Sequence, residues 1–364
     1  MVNEYLQIRN LFYLIYVLAI FFTNNAHAQD EKSLSKMTSN LNPKIFISSD
    51  YIFLNESLHT PVFIKINRVT NELFVLDAGN NCIYSFTKDG KFINKFGRPG
   101  QGPGDLLGPL FFDIDNEGNI YVYEYKNRRI SIFNDKGKYS GGFRLNSSTI
   151  IPFSLNSNKE VVINMPNTGY YISVYGKDGE IKSNIGEVTK YNKDIPLVNI
   201  IFAEGWPFVT GDGNYYIFLY HMPLVKIFSH NGNLIEEKEM TFIPEFHSKL
   251  ESGSGYVPPE KHPGTGPGAM YNFLYETVLY RYNKFYCLIM HWEKYGNILN
   301  PLFTVYELDE KLNILSRKIL ISKDLISSKD LMTLRYPTNF DFIDFNDGLF
   351  LSVPKGAFII KYDK

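Results

Sequence analysis

Cysteine is nearly absent from this chain: 364 residues hold two, Cys82 and Cys287. The strand reading below sets them in the first and fifth of six repeats, which are not neighbours. A disulfide needs Cα atoms within about 7 Å, so two separate buried thiols are expected and the fold does not rely on a bridge. Charge of one sign is also missing. The net charge is −1 at pH 7, with no charge run and no basic stripe, which argues against nucleic acid as a partner. The 7 histidines show no His-x-His or His-x₃-His spacing, the kind that marks a metal site by sequence alone. There is no nucleophile elbow, Ser/His/Asp arrangement, nucleotide fingerprint or cysteine–histidine pair. Catalysis is not thereby excluded in a fold whose sites are assembled from distant segments.

Long hydrophobic runs are confined to the start. Arg9 marks a short polar beginning, Leu11 to Phe22 is an uninterrupted apolar run, and Ala26-His27-Ala28 follows. As a helix that run would span about 18 Å, short of the roughly 30 Å hydrocarbon core. Residues 1–28 are therefore expected to be a signal peptide cleaved before Gln29, residues 29–40 a linker, and the mature chain exported to the periplasm or beyond the cell. No cysteine follows the run to carry a lipid, and no later segment is expected to span a membrane.

What is abundant is aromatic residues and tight turns. An aromatic followed four positions later by glycine recurs as Phe86–Gly90, Phe133–Gly137, Tyr175–Gly179 and Phe228–Gly232, with degenerate copies near Tyr306 and Tyr362. A period of about 40–50 residues made of strands is the signature of a propeller blade. Each repeat parses as four short strands rich in Tyr, Phe, Ile and Val, joined by Asn/Asp/Gly turns that tolerate positive φ. The blades are expected from about Thr60 to Phe96, Pro109 to Leu145, Ile150 to Ile185, Phe202 to Met240 and Tyr271 to Ile319, with three strands of a sixth between Asn339 and Tyr362. Lys44–Ile47 is a spare strand. An open ring would expose unpaired edges, so this strand is expected to complete the sixth blade. The expectation is an all-β, six-bladed β-propeller of four-stranded antiparallel blades over residues 41–364, closed by an N-terminal strand.

The stretch Phe96-Gly-Arg-Pro-Gly-Gln-Gly-Pro-Gly-Asp105, then Asp113–Val122 and Asn127–Phe133, resembles the NHL-type repeat and, more closely, the exported six-bladed β-propeller proteins of Bacteroidota, whose repeats are NHL- or TolB-like. The likeness is sharp over the first two blades and blurred beyond. It implies an architecture and little chemistry, since NHL-type propellers include binding modules as well as lyases and lactonases.

Sorting the connections by face gives a lopsided result. Short turns fall on one side; the long segments Gly97–Gly108, Gly186–Ile200, Thr241–Met270, His291–Pro301 and Ser322–Thr338 fall on the other. Long loops in compact domains are usually functional. Arg98, Tyr125, Arg128, Trp206, His221, His291, Trp292 and Arg335 are expected on this loop-rich face, and Trp, Tyr and Arg are the types that carry binding energy. For the two tryptophans, packing between blades is the competing expectation.

Other motifs are weaker. Asp113-x-Asp115-x-Glu117-Gly118 with Glu124 imitates a calcium loop, but its flanks alternate as strands where an EF-hand needs helices. The glycine run 97–104 lacks the Lys-Ser/Thr and helix of a phosphate cradle and reads as a rigid connector. Asp113 and Asp341 fall on comparable faces of inner strands, where paired carboxylates would hold a cation or act as acid and base. His221 and His291 would meet only through ring closure. Ser252–Gly268 is a Pro/Gly-rich insertion, within about 241–270, that reads as a partly ordered lid. The first expectation is an exported, soluble binding or scaffolding module, without cofactor, for a glycan, a small molecule or an envelope protein. The alternative is a lyase or hydrolase acting on a sugar or ester at the channel mouth, with a divalent cation if metal-assisted.

Overall fold

The computed structural model describes residues 44–53, 58–146, 152–246, 259–261, 274–295, 298–322, 339–342, 344, 348–353 and 356–362. Four sheets follow one another along the chain, each of four antiparallel strands paired in chain order. The first holds Pro61–Asn67, Glu72–Asp77, Cys82–Thr87 and Phe92–Phe96. The second holds Pro109–Ile114, Ile120–Glu124, Arg129–Phe133 and Tyr139–Arg144. The third holds Phe153–Leu155, Val161–Asn164, Tyr170–Tyr175 and Ile181–Glu187, and the fourth Gly205–Val209, Tyr215–Leu219, Leu224–Phe228 and Leu234–Glu239. A fifth sheet of eight strands contains two more sets. One is Thr277–Arg281, Lys284–Tyr295, Ile298–Asp309 and Ile314–Ser322; the other is Asn339–Asp341, Gly348–Val353 and Gly356–Tyr362 with Lys44–Phe53.

The first strand of each set touches the first strand of the next, and that of the sixth touches that of the first, so the six inner strands form a ring about an axis. This is a β-propeller. Second and third strands are buried on both faces, as along Ile120–Glu124, whereas outer strands such as Phe92–Lys95 and Leu234–Lys238 lie open or half-open. The recurring aromatic is the joint between blades: Phe133 meets Phe96 of blade one at 5.1 Å, Tyr175 meets Phe143 of blade two at 6.2 Å, and Phe228 meets Tyr171 of blade three at 5.8 Å. The glycine four residues on turns the hairpin, at φ 85° for Gly90, 77° for Gly137, 83° for Gly179 and 83° for Gly232, a region where a Cβ is unfavourable. Cys82 and Cys287 are both buried and free.

Three details depart from the sequence reading. Blade four begins at Gly205, because Pro196–Phe202 forms a short helix with proline in its first turn, where the missing N–H costs nothing. In the segment His291–Pro301, residues 291–295 and 298–301 continue the paired strands, with His291 opposite Leu302 and Trp292 opposite Pro301. The N-terminal strand is longer than Lys44–Ile47: those residues run parallel to Ile314–Ser322, and it is Ser48–Phe53 that pair antiparallel with Gly356–Tyr362. Apolar and β-favouring residues continue through Tyr51–Phe53, and an irregularity between Ser48 and Asp50 lets the two halves serve different neighbours.

Candidate functional site

Strand direction fixes the faces. Connections between blades and the turns between second and third strands share one end, the loop-rich face; the other turns share the opposite end. On the loop-rich face the best-defined structure joins blades one and two. Glu124 ends the second strand of blade two and is fully buried. Its carboxylate accepts from Arg129 Nε at 2.6 Å, Ser131 Oγ at 2.5 Å, Asn127 Nδ2 at 2.6 Å and the Leu107 N–H at 2.9 Å. Arg129 then donates to the carbonyls of Gln101, Gly102 and Asp105. Four partners for one buried carboxylate, and four acceptors for one guanidinium, make this hub cohesive. It pins the glycine run from below, so that run is the rigid connector its sequence suggested.

On this braced loop Arg98 donates through Nε to Asp105 at 2.7 Å and still exposes 81% of its side chain. The adjoining turn presents Tyr125 half-buried, its hydroxyl pKa raised by burial, and Lys126 and Arg128 exposed. Arg128 has φ 48°. The same position of blade one, one residue before its third strand, is Asn81 with φ 52°. Asn81 is suited to the left-handed region, and its Oδ1 accepts the Gly108 N–H at 2.8 Å. Arg128 holds the same strained geometry with its side chain in solvent.

Two of the other expected residues, Trp206 and His221, do not join this surface. Trp206 is 6% exposed and sits on the inner strand of blade four. It stacks on Phe63 of blade one across the axis, with centroids 6.4 Å apart, and meets Tyr220 edge-on. It is therefore a plug of the channel, and an inner-strand indole has nowhere else to bury its area. His221 is 2% exposed, packs edge-on against Phe202 and lies 3.8 Å from the buried Glu204. The helix before blade four covers it. His291 and Trp292 lie on the extended hairpin of blade five. Arg335 lies outside the described residues, as does most of the insertion. Its first residues are core: Ile243 and Phe246 are fully buried, and Glu245 binds Tyr306 Oη at 2.5 Å and Arg317 Nη2 at 2.6 Å.

The channel carboxylates are each engaged by a cation and by backbone N–H groups. Asp113 Oδ1 accepts from Lys65 Nζ and the Ile114 N–H, and Oδ2 from the Leu155 N–H of blade three. Asp341 Oδ1 accepts the Phe342 N–H, and Oδ2 accepts the Ile66 N–H of blade one and Arg281 Nη2 at 2.9 Å. Burial alone would raise the Asp341 pKa, yet Arg281 and these bonds hold it below the ordinary carboxylate range. Lys65 is lowered by burial, against the pull of Asp113. Each aspartate thus ties one blade to the next. The imitation of a calcium loop also comes apart. Asp115 accepts the Glu117 and Asn119 N–H groups of its own turn, Lys159 pairs with Glu117, and Glu124 belongs to the hub at the far end of the strand. Among the described residues no three His, Cys, Asp or Glu side chains gather as metal ligands.

Sequence reasoning missed Glu124 and Arg129 as the brace, and Lys65 and Arg281 as channel cations. A signal existed for the last two: each is a lone charge within an apolar inner-strand run, Phe-Ile-Lys-Ile and Val-Leu-Tyr-Arg.

The chain belongs to the 6-bladed beta-propeller family whose model matches residues 33–229. No curated protein matches it in sequence. Among solved structures it is similar to a catalytically inactive virginiamycin B lyase from Staphylococcus aureus with quinupristin, at 13% identity and TM-score 0.51, covering 86% of this chain and 99% of that one. A streptogramin B lyase aligns at 11% identity and TM-score 0.52, covering 86% and 98%. A candidate exported protein from Bacteroides fragilis aligns at 13% identity and TM-score 0.51, covering 88% and 99%. At these identities the likeness is one of fold. No helix among the described residues is long and apolar enough to cross a membrane.

Proposed function

We propose that this chain is an exported binding module that holds an anionic partner of the cell envelope, an acidic glycan, on the loop-rich face of blades one and two. The single observation behind this reading is Arg128. A non-glycine residue in the left-handed region costs about 1 kcal/mol or more, and the equivalent residue of blade one is an asparagine that tolerates it; the Arg128 backbone closes the turn and accepts the Leu145 N–H at 2.8 Å, while its side chain stands exposed. Such strain points toward function outside it. Arg98, Tyr125 and Lys126 stand beside it on a loop that the Glu124–Arg129 hub holds rigid, and a rigid platform lowers the entropic cost of binding. Guanidinium groups next to a tyrosine suit carboxylates on a ring-bearing polymer.

The test is binding of residues 29–364 to matched acidic and neutral polysaccharides at two salt concentrations. Binding to the acidic member, weakened by salt and by Arg98→Ala, is expected. Equal binding to both, or binding indifferent to salt, would reject an electrostatic platform.

A further inference from the structure

Blades five and six join at their outer edges through Lys44–Phe53, whereas among the described residues no strand lies beyond the outer strands of blades one to four. An unpaired edge is a template for another strand unless something blunts it. Two positions decide what each open edge offers: the residue opposite the recurring aromatic of its blade, and the one after it. They are Phe92-Ile93 in blade one, Tyr139-Ser140 in blade two, Ile181-Lys182 in blade three and Leu234-Ile235 in blade four. Of these four, blades one and four alone carry large apolar side chains at both positions. They leave them open to solvent: Phe92 is 53% exposed, Ile93 42%, Leu234 51% and Ile235 54%.

Charge separates the two edges. The blade-one strand bears exposed Lys91 and Lys95, and the blade-four strand bears exposed Glu236, Glu237 and Glu239 around Lys238. Lysines alone would read as a guard against pairing. An acidic edge with the same apolar pair, three blades away on the far side of the ring, reads as their counterpart. Laid side by side in the same direction with equivalent positions opposite, the strands set Phe92 on Leu234, Ile93 on Ile235 and Lys95 on Glu237. Both carry the same one-residue irregularity after the first of these positions, so they match residue for residue. Run in opposite directions, they would set the apolar pairs against charged ends. The chain already takes a parallel strand on an outer edge, where Lys44–Ser48 lie beside Lys318–Ser322 of blade five.

We propose that this propeller associates with copies of itself, the blade-one edge of one copy pairing in parallel with the blade-four edge of the next. Each copy keeps its other edge free on the opposite side of the ring. The contact is therefore heterologous, and it extends into a chain rather than closing as a dimer. It does not depend on the loop-rich platform.

Sedimentation of residues 29–364 from about 1 to 300 µM tests this. Species larger than a dimer are expected to grow with concentration, half-complete at about 10–100 µM, as suits a contact of one strand per copy. Ile93→Glu sets an acid against the acidic edge, and Ile235→Lys sets a base against the basic one. Both side chains are open to solvent, so the melting temperature should not move. Each variant alone should associate at least about tenfold more weakly. An equimolar mixture of the two retains one intact pair of edges and should recover a dimer of one copy of each and nothing larger. A wild-type chain that stays monomeric up to about 300 µM, a single variant that assembles like wild type, or a mixture that stays monomeric would each overturn the proposal.

Discussion

Asp341 shows how much a residue's surroundings decide its role. Its pattern position placed it on an inner strand facing the axis, and that much was legible. What could not be read was the origin of its partners: Arg281 comes from blade five and the Ile66 N–H from blade one, both far away in sequence. The same holds for Asp113, claimed by Lys65 and by the Leu155 N–H. Alternation reports a face and carries no information about which cation a neighbouring blade delivers to it. Asp341→Asn should cost about 3–5 kcal/mol at pH 7, because Arg281 is left buried without its counter-charge. A carboxylate held below its ordinary pKa adds stability above the unfolded value, about 3.9, and loses it as pH falls through the folded value. Urea unfolding from pH 7 down to about 2.5 should therefore show the gap between wild type and Asp341→Asn narrowing below about pH 4. A gap constant across that range would mean that folding leaves the Asp341 pKa at its unfolded value.

At the scale of the element, the hairpin carried the clearest signal. The aromatic and its glycine could be read as a repeat because each has a geometric duty: one fills the joint between blades and the other turns the chain at positive φ. The duties are not equal from blade to blade. A Cβ on Gly137 would lie 2.4 Å from the Phe96 ring, whereas one on Gly232 would meet nothing closer than 3.5 Å. Gly232→Ala should cost only the left-handed penalty, about 1–2 kcal/mol. Gly137→Ala should cost clearly more, since Phe96 must leave its place against Phe133. Denaturant midpoints of the two variants decide this, and equal losses would place the whole penalty in the backbone. The element that sequence reasoning missed was the helix Pro196–Phe202. Its run Pro-Leu-Val-Asn-Ile-Ile-Phe is short, apolar and rich in β-branched residues, and periodicity cannot separate strand from helix over such a length. Asn192 settles the matter locally by accepting the Asp194 and Ile195 N–H groups and so starting the turn into the helix.

For the whole molecule, six four-stranded sets around one axis were legible from period and turn chemistry, and the family match agrees. The candidate site was legible only in part. Arg98, Tyr125 and Arg128 do fall on one braced surface, because neighbouring blades bring a connector and a turn together at the same end. Trp206 and His221 fell inside, because rare side chains were read as recognition groups while the channel and the blade-four helix had first need of their bulk. The proposed platform rests on one residue, Arg128, whose backbone geometry favours asparagine. Arg128→Asn should leave unfolding stability unchanged or raise it by up to about 1 kcal/mol, as asparagine relieves the left-handed strain. The same substitution should weaken binding of the acidic polysaccharide about tenfold. That paired measurement, stability and binding on one variant, tests the platform most directly. Binding as tight as wild type would contradict it, and the strain at Arg128 would then need another explanation.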